Sequence, residues 1–295
     1  MARLRDVLTI SAFVGLATVG SFWVLGEARR ERDRPARCAD GLVAGPTRCC
    51  GAGQTEQEGG CRGVATRCSS AQALSTGACV PRRERVAVGP ATFHLAATDW
   101  EPGVESAAKS AQVPPLWVDA FEVTQERWAE CVKGGQCPAL GGGEPGQPVR
   151  GVPFDAASRF CELEDGRLPT EMEWRYVAAG PPVRRFAWGT TGLVCRRAAF
   201  GLERGPCARG ATQPELGGSR PDGATPEEVH DLTGNLAEWV VLDDGSGATL
   251  GGSFRARLAG ELKTTSRVVV PKTLDDVGFR CFYPRSTGAW QSPQP

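Results

Sequence analysis

The sequence predicts an α+β fold that is rich in loops. Three segments carry helix start and stop signals, and short runs of β-branched and aromatic residues predict strands at 116–121, 268–270 and 279–282. Long stretches rich in glycine and proline separate these pieces, and the chain holds 38 glycines and 22 prolines. Short helices and strands joined by long loops are typical of an α+β domain.

The first helix is predicted to start after Thr124, because a threonine hydroxyl at the N-cap position accepts a hydrogen bond from the first helical turn. Val123 and Trp128 stand at the two positions of a hydrophobic staple, which fixes the angle at which the chain enters the helix. Gly134 and Gly135 are expected to end this helix, since glycine adopts the required backbone conformation at low cost.

Two further helices follow. Asp155 is expected to cap the second, which ends before Gly166. The third opens with Thr170-Glu-Met-Glu173, a capping box in which the threonine and the second glutamate each bond to the backbone of the other. It is predicted to end at Gly180.

The N-terminal part predicts a transmembrane anchor or a signal segment at residues 1–26, followed by a charged stalk at 27–37. Residues 7–26 carry no charge, and at about 1.5 Å per residue they would span about 30 Å, the thickness of a bilayer core. Flanking arginines alone would put the C-terminal part in the cytoplasm. The twelve cysteines favour export instead, either membrane-anchored and extracytoplasmic or secreted after signal cleavage.

Residues 38–81 form a cysteine-rich region with little apolar periodicity. The spacing Cys-x10-Cys occurs three times, at Cys38 and Cys49, Cys50 and Cys61, and Cys68 and Cys79. Three local bridges are the simplest pairing, although six cysteines permit 15 pairings, and each would restrict the unfolded chain by roughly 3 kcal/mol. A zinc module is the alternative, but the paired short spacings of zinc ribbons do not occur.

Residues 82–285 carry the aromatic residues and the helix and strand signals, and 286–295 are predicted to be a flexible tail. The chain has 34 basic and 34 acidic residues, without a basic block, so we expect no nucleic-acid partner. The two histidines, His94 and His230, lie far apart, which argues against a histidine metal centre and a Ser-His-Asp triad.

Seven motifs occur in one order along the larger region. They are Phe121-Glu-Val-Thr124, Pro148-Val-Arg-Gly-Val152, Gly166-Arg-Leu-Pro-Thr-Glu-Met-Glu-Trp174, Phe186-Ala-Trp-Gly189, Asp231-Leu-Thr-Gly-Asn-Leu-Ala-Glu-Trp239, Leu250-Gly-Gly-Ser253 and Gly278-Phe-Arg-Cys281. Together they resemble the formylglycine-generating enzyme, or sulfatase-modifying factor, family over about residues 84–283. The resemblance implies that family's loop-rich α+β fold, which is related to C-type lectins. Trp174 and Trp239 are expected to be core aromatics rather than a substrate cage.

The resemblance implies a calcium site in the fifth motif. The positions that match are Asp231, Gly234 and Leu236 through their backbone, and Glu238, and oxygen ligands of these kinds suit calcium. The alternative is that the two carboxylates only bond to backbone amides of a tight loop. A second calcium site of the family is not expected, because the stretch 198–201 lacks the asparagine that it requires.

Enzymes of this family oxidise a cysteine of their substrate by means of two thiolates that bind copper(I). The two cysteines that supply these thiolates lie three and eight residues after Gly-Gly-Ser. Those positions here are Ala256 and Glu261, and no cysteine lies between Ser253 and Cys281. Copper(I) is a soft ion that needs soft sulfur ligands. We therefore expect no bound copper and no oxidase activity, and the iron-dependent relatives, which need a histidine cluster, do not match either.

The resemblance also implies a disulfide between Cys161 and Cys281. By the loop-entropy relation, its loop of about 120 residues would contribute roughly 4–5 kcal/mol. The remaining cysteines of the larger region are candidates for two local bridges: Cys131 with Cys137, and Cys195 with Cys207.

These observations predict a membrane-tethered, extracytoplasmic domain that binds a protein or peptide, or serves as a scaffold, without oxidase activity. One alternative is an enzyme of altered chemistry, in which four cations line the old cleft and take an anionic substrate: Arg255, Arg257, Lys263 and Arg267. These charges are otherwise a solvated face. A further alternative is sulfatase modification with a partner subunit that supplies the cysteines.

Overall fold

The computed structural model describes residues 34–57, 60–70, 72–75, 77–82, 84–95, 109–190, 192–269 and 275–285. The predicted membrane segment at 7–26 and the predicted tail at 286–295 lie outside the described residues. Within these ranges, no helix has both the length and the apolar character needed to cross a bilayer. The anchor therefore stays a prediction.

The described residues contain three α-helices: α1 (Gln125–Lys133), α2 (Phe154–Leu163) and α3 (Glu171–Ala179). Two of the predicted helix starts are confirmed. The Thr124 hydroxyl accepts a hydrogen bond from the Arg127 amide at 3.3 Å. Thr170 and Glu173 form the full capping box, with the Thr170 amide donating to Glu173 at 2.9 Å.

The predicted start of α2 is wrong. Its N-cap is Pro153, and no side chain bonds to the first turn. Asp155 lies inside that first turn instead. Proline has a fixed φ that suits a helix start, and an acidic residue in the first turn interacts favourably with the helix dipole, so both residues favour the start without an N-cap hydrogen bond.

The strands are short, and the described residues contain fifteen of them. They are β1 (Leu42–Ala44), β2 (Cys49–Gly51), β3 (Thr55–Gln57), β4 (Gly60–Arg62), β5 (Gln72–Ser75), β6 (Ala78–Pro81), β7 (Arg85–Val88), β8 (Ala91–Leu95), β9 (Lys109–Val113), β10 (Leu116–Asp119), β11 (Ala237–Val241), β12 (Gly247–Leu250), β13 (Arg267–Val268), β14 (Val277–Gly278) and β15 (Phe282–Pro284). Four antiparallel pairs form two-stranded sheets: β1 with β2, β3 with β4, β5 with β6, and β8 with β9. A three-stranded sheet has the order β15-β10-β7, and a four-stranded sheet has the order β13-β12-β11-β14.

The strand predictions had mixed outcomes. The strand expected at 116–121 is observed as β10, and β13 covers only the start of the stretch expected at 268–270. The strand expected at 279–282 is wrong, because residues 279–281 separate β14 from β15. Here the Phe279 and Cys281 carbonyls accept single bonds from the amides of Val123 and Asp119, at 2.9 and 3.0 Å, instead of a ladder.

Aromatic side chains form the core of the larger region. Trp174 packs with Val118, Leu250 and Phe282 in one apolar cluster. Trp239 belongs to a second cluster with Trp128, Phe160 and Phe279, in which Trp128 stacks on Phe160 with ring centroids 5.5 Å apart. Trp174 and Trp239 are both buried, which confirms that they are core aromatics.

All twelve cysteines lie among the described residues, and they form six disulfides. The cysteine-rich region has the three local bridges that its repeated spacing favours, each with a sequence separation of 11. The larger region has the local pairs Cys131–Cys137 and Cys195–Cys207. Cys161 pairs with Cys281 over a separation of 120, as the resemblance implies.

The cysteine-rich region packs against the larger region, and the described residues from Ala36 onward belong to one structural unit. Arg48 of the first region and Arg220 of the second both bond to the buried carboxylate of Glu215. The Cys49 amide also donates to the Ser219 carbonyl at 3.2 Å. Burial alone would raise the pKa of Glu215, but the charges of Arg220 and Arg48 lower it to about 2. A buried ion cluster thus joins the two regions.

Candidate functional site

A cavity of about 680 Å³ lies beside the four-stranded sheet, where the chain leaves β12. Residues of all four strands, β11 to β14, form part of its wall, and the segment after β12 together with Asp276 forms the rest. The polar and charged residues of that wall include Ser253, Arg255, Glu261, Arg267 and Asp276. The volume lies in the range of ordinary ligand sites, about 300–1,000 Å³.

Two glycines shape the turn that leads from β12 to the cavity. Gly251 and Gly252 have positive φ values of 86° and 66°. A side chain at Gly252 would bring its Cβ to 2.6 Å from the Glu261 carbonyl. Past the turn, the buried residue Phe254 donates its amide to the Asn235 carbonyl at 2.8 Å. The turn and this bond fix the start of the segment.

Both positions that match the family's cysteines line this cavity. Ala256 is buried and belongs to an apolar cluster with Phe186 and Leu262. Glu261 is exposed, and its carboxylate accepts bonds from the amides of Arg257 and Leu258 at 2.9 and 2.7 Å. The wall therefore presents a methyl group and a carboxylate that bonds to two backbone amides.

The four cations expected at the cleft divide into two pairs. Arg255 and Arg267 line the cavity, whereas Arg257 and Lys263 are not among its lining residues. The Arg255 guanidinium lies 3.4 Å from the Glu203 carboxylate and 3.8 Å from that of Asp275. Arg267 lies 3.1 Å from Glu171. The arginines at the cavity thus make ion pairs with neighbouring carboxylates.

Ser253 and Asp276 meet at the wall of the cavity. The Ser253 hydroxyl donates to the Asp276 carboxylate and also accepts a bond from the Arg255 amide at 3.2 Å. Asp276 in turn anchors the sheet, because its carbonyl accepts a bond from the Ala237 amide of β11 at 3.0 Å. The hydroxyl is therefore held in place on the wall.

The loop predicted to bind calcium lies next to this segment. The Gly234 amide donates to the Gly251 carbonyl at 3.0 Å, and the Leu236 amide donates to the Glu122 carboxylate at 2.9 Å. Asp231 accepts a bond from the Gly218 amide at 2.7 Å. These contacts bond both acidic side chains, Glu122 and Asp231, to backbone amides.

Glu238, the fourth predicted calcium ligand, is engaged elsewhere. Its two carboxylate oxygens accept bonds from Arg280 at 2.6–3.0 Å, and one of them also accepts a bond from the Trp174 indole at 2.8 Å. Both Glu238 and Arg280 are buried. This fully desolvated pair holds β11 to the segment that follows β14.

The charge balance around this loop leaves an excess of negative charge. The carboxylates of Glu122, Asp231 and Glu238 lie near the guanidinium of Arg280, and Asp231 also lies near Glu215 and Arg220, whose charges oppose each other. Burial raises the pKa of Asp231 to about 6, and burial together with the charges of Asp231 and Glu238 raises the pKa of Glu122 well above its ordinary value. A cation at this loop would relieve that excess.

The predicted calcium ligands are two carboxylates, those of Asp231 and Glu238, and the backbone of Gly234 and Leu236. In the parts of the chain that the structure describes, no three side chains of the types His, Cys, Asp and Glu come together as metal ligands. Glu238 is committed to Arg280. A calcium ion here would depend on Asp231 and on backbone carbonyls, and it stays a prediction.

Sequence reasoning missed several of the acidic partners. Glu122 bonds to the predicted calcium loop, Glu171 is the partner of Arg267, and Glu203 is a partner of Arg255. Glu122 had a detectable signal, because it is a lone charge between the apolar residues Phe121 and Val123. The partnerships of Glu171 and Glu203 depend on tertiary contacts and have no local sequence signal.

The two histidines lie on separate elements. His94 belongs to β8, is exposed and lies 2.7 Å from the Ser110 hydroxyl. His230 is buried and stacks on Phe121 with ring centroids 4.8 Å apart. Burial, with the charge of Arg280, lowers the pKa of His230 to about 4, so its imidazole is neutral at ordinary pH. Neither histidine lines the cavity.

Comparison with known proteins bears on the larger region. The family described as "Sulfatase-modifying factor enzyme 1-like domain" matches residues 71–283. A solved structure, PvdO from Pseudomonas aeruginosa, is similar with a TM-score of 0.54 and 17% sequence identity, over 69% of this chain and 94% of that chain. At this identity the likeness shows the fold alone.

Two curated relatives match shorter segments. A hercynine oxygenase of Mycolicibacterium smegmatis is 33% identical over 98 residues, which is 32% of this chain and 21% of that protein. A formylglycine-generating enzyme of Streptomyces coelicolor is 33% identical over 100 residues, which is 34% of this chain and 29% of that protein. The matched segment thus spans less than a third of either relative.

Proposed function

Because this chain belongs to the sulfatase-modifying factor enzyme 1-like domain family, we propose that its cavity binds a protein or peptide without oxidising a cysteine. The observation that carries the proposal is the pair Ala256 and Glu261 in the cavity wall. They stand where the family's oxidases carry two cysteines. In this proposal, the cavity corresponds to the reactive centre of the family's oxidases, but a methyl group and a carboxylate replace the two thiols.

Copper(I) chemistry needs thiolates, and neither residue can replace one. The methyl group of Ala256 has no lone pair to donate. The Glu261 carboxylate is a hard oxygen ligand that already accepts bonds from two backbone amides. A soft ion such as copper(I) selects soft sulfur ligands over such oxygens. The other cysteines do not offer thiols, since all twelve form disulfides.

Several features support binding at the cavity. Its wall combines the rigid four-stranded sheet with a surface segment, an arrangement that commonly carries recognition sites. The disulfides indicate folding in an oxidising compartment, which favours an extracytoplasmic partner. We propose that the anchor predicted at residues 7–26 tethers the domain to a membrane, which would keep the cavity outside the cytoplasm.

An enzyme of altered chemistry is the second candidate. Two observations support it. The curated relatives are named as an oxygenase and as a formylglycine-generating enzyme. In addition, Arg255 and Arg267 line the cavity. Such an enzyme would act on an anionic substrate that these arginines hold. The two proposals differ in whether the bound molecule is changed.

The test incubates the full-length protein with a Cys-x-Pro-x-Arg peptide, copper and oxygen, and follows the peptide by mass spectrometry. We expect no conversion of the thiol to an aldehyde. The matched control is the double variant Ala256→Cys with Glu261→Cys, which places two thiols at the same cavity and is expected to gain copper(I) affinity in a chelator competition. Aldehyde formation by the unmodified protein would overturn the proposal.

A further inference from the structure

The cavity runs across the four-stranded sheet from one edge strand to the other. Arg267 of β13 pairs with Leu250 of β12, Leu250 pairs with Glu238 of β11, and Glu238 pairs with Gly278 of β14. Neighbouring strands lie about 4.8 Å apart, so this row spans roughly 14 Å. Asp276 lies two residues before Gly278 and also lines the cavity, beside the edge strand opposite to that of Arg267.

The β13 end has surplus positive charge. The Glu171 carboxylate is shared by three cations: Arg175 at 2.9 Å, Arg267 at 3.1 Å and Lys109 at 3.7 Å. Lys109 has a second partner in Asp243 at 3.3 Å. The guanidiniums of Arg175 and Arg267 therefore share one carboxylate. Burial lowers the pKa of Arg175, and the positive charge of Arg267 lowers it further.

Of these three cations, Arg267 faces the cavity. Its side chain is 39% exposed, whereas that of Arg175 is 5% exposed and also donates to the Thr264 carbonyl at 2.6 Å. Arg175 is thus committed to the interior. The guanidinium of Arg267 can therefore direct N–H donors towards a molecule bound in the cavity. The charge of Glu171 is then still balanced by Arg175.

The other end of the cavity is acidic. Asp276 lines the cavity there, and the charge of Arg255, whose amide bonds to the same Ser253 hydroxyl, is balanced by Glu203 and Asp275. Glu261 also lines the cavity. Both lining carboxylates bond to donors of the protein: Asp276 to the Ser253 hydroxyl, and Glu261 to two amides. The cavity is therefore polar along its length, with its positive end at Arg267.

From this polarity we infer that Arg267 forms a carboxylate-binding subsite at the β13 end of the cavity. The inference rests on the proposed binding function and names its ligand class, an extended peptide segment that carries a carboxylate at that end. An extended chain covers at most about 3.5 Å per residue, so roughly four residues match the span of the row. Arginine suits this role because its planar fork bonds a carboxylate through two parallel donors.

The carboxylate can come from an acidic side chain or from a peptide C-terminus, and four synthetic peptides separate these sources. They are N-acetyl-Ala-Ala-Ala-Glu-amide, its Gln counterpart, N-acetyl-tetraalanine with a free C-terminus, and the same peptide amidated. Saturation-transfer NMR titrations on the full-length protein in detergent measure each affinity. We expect at least one carboxylate peptide to bind five or more times tighter than its neutral counterpart.

Two variants assign the effect. Arg267→Gln removes the charge but keeps a donor for Glu171, and it should bring the acidic and neutral peptides within about twofold of each other. Arg257→Gln is the matched control, because Arg257 is an exposed arginine of the segment before β13 that does not line the cavity. It should retain the full preference. Melting curves of both variants report that the fold is intact.

The outcomes separate the two proposals. Equal binding of acidic and neutral peptides overturns the carboxylate subsite and leaves the binding function standing. A preference that survives in Arg267→Gln overturns the assignment to Arg267. Failure of all four peptides to bind at millimolar concentration contradicts peptide binding at this cavity, and the subsite with it.

Discussion

The cysteine-rich region at 38–81 and the larger region at 82–285 are stabilised in different ways. The first has three local disulfides and three two-stranded hairpins. The second has the apolar clusters around Trp174 and Trp239 and one disulfide that spans 120 residues. All four apolar clusters of the described residues consist of residues from Val86 onward.

The comparison shows how a region without a core of its own can still be ordered. Local bridges limit the unfolded chain, but they bury little apolar surface. The missing burial comes from the larger region, where Val80 and Pro81 lie so close to Gly146 and Gly217 that a Cβ at either glycine would come within 2.9 or 3.1 Å of them. Arg48 also meets Glu215 there. The cysteine-rich region is therefore a part of the folded unit.

The largest expected effect concerns the long-range disulfide. Replacing Cys161 and Cys281 together by alanine should lower the free energy of unfolding by roughly 4–5 kcal/mol, since the loop that they close is long. The matched pair Cys68 and Cys79 closes a short loop, and its double alanine variant should lose about 3 kcal/mol. Urea unfolding measures both, and equal losses would contradict the entropic account.

The ion cluster between the regions comes next. Glu215→Gln leaves Arg48, Arg209 and Arg220 without their shared carboxylate, and breaking such a buried pair should cost about 3 kcal/mol. Glu203→Gln, at a more exposed pair with Arg255, should cost less than about 1 kcal/mol. Proteolysis between residues 38 and 81 should also become faster in Glu215→Gln if the cluster holds the two regions together.

The same carboxylate predicts a dependence on acid. The pKa of Glu215 is lowered from an ordinary 4.5 to about 2, so its contribution is present above pH 4.5 and is lost as the pH falls towards 2. Thermal unfolding of the unmodified protein should lose stability over that interval. Glu215→Gln should lack this component, and an identical acid profile in both proteins would refute it.

A smaller effect with the opposite sign is expected at Asp231. Burial raises its pKa from 3.8 to about 6, so the stability that its protonated form contributes is complete below pH 3.8 and is lost as the pH rises through 6. Asp231→Asn keeps an acceptor for the Gly218 amide and should therefore melt a few degrees higher than the unmodified protein at pH 7.5. The two melting temperatures should converge near pH 4.

Calcium sharpens this test. We propose that a calcium ion at the loop would offset the buried negative charge, so calcium added after chelator treatment should raise the melting temperature of the unmodified protein at pH 7.5. Asp231→Asn should show little of that rise. A rise of the same size in both proteins would place the ion elsewhere, and no rise in either would remove calcium from this loop.

The smallest expected change in stability concerns an exposed ion pair on α2. Arg159 and Glu162 form an exposed pair one turn apart on α2, with the charged atoms 3.4 Å apart. Arg159→Ala should change the free energy of unfolding by only about 0.3 kcal/mol, because solvent screens such pairs. If Arg159→Ala lowered the free energy of unfolding as much as Glu215→Gln does, burial would not explain the difference in strength between the two ion pairs.

Much of the fold was accessible from local sequence signals. The caps at Thr124 and Thr170 depend on residues a few positions apart, and both are observed. The error at α2 arose because proline and aspartate both favour a helix start, and a local pattern does not rank them. The missed break at Phe279–Cys281 has a tertiary cause, since Arg280 there is buried against Glu238.

The candidate site shows the same division. The replacement of two cysteines by Ala256 and Glu261 follows from the order of residues after Gly-Gly-Ser. The partners of the cationic residues do not follow from that order. Arg267 pairs with Glu171, which lies 96 positions earlier in the sequence. This long-range ion pair distinguishes the environment of Arg267 from that of Arg257.

The amino-acid sequence by itself therefore determined the family, two of the helix starts and the loss of the two thiols, and it favoured the pairs of cysteines at equal spacing. Only the tertiary structure decided that Glu238 pairs with Arg280, that Arg267 shares its counter-ion and that the cysteine-rich region is docked through Glu215. The physical reason is that caps and short loops depend on neighbours along the chain. Burial and charge pairing depend instead on residues that only folding brings together.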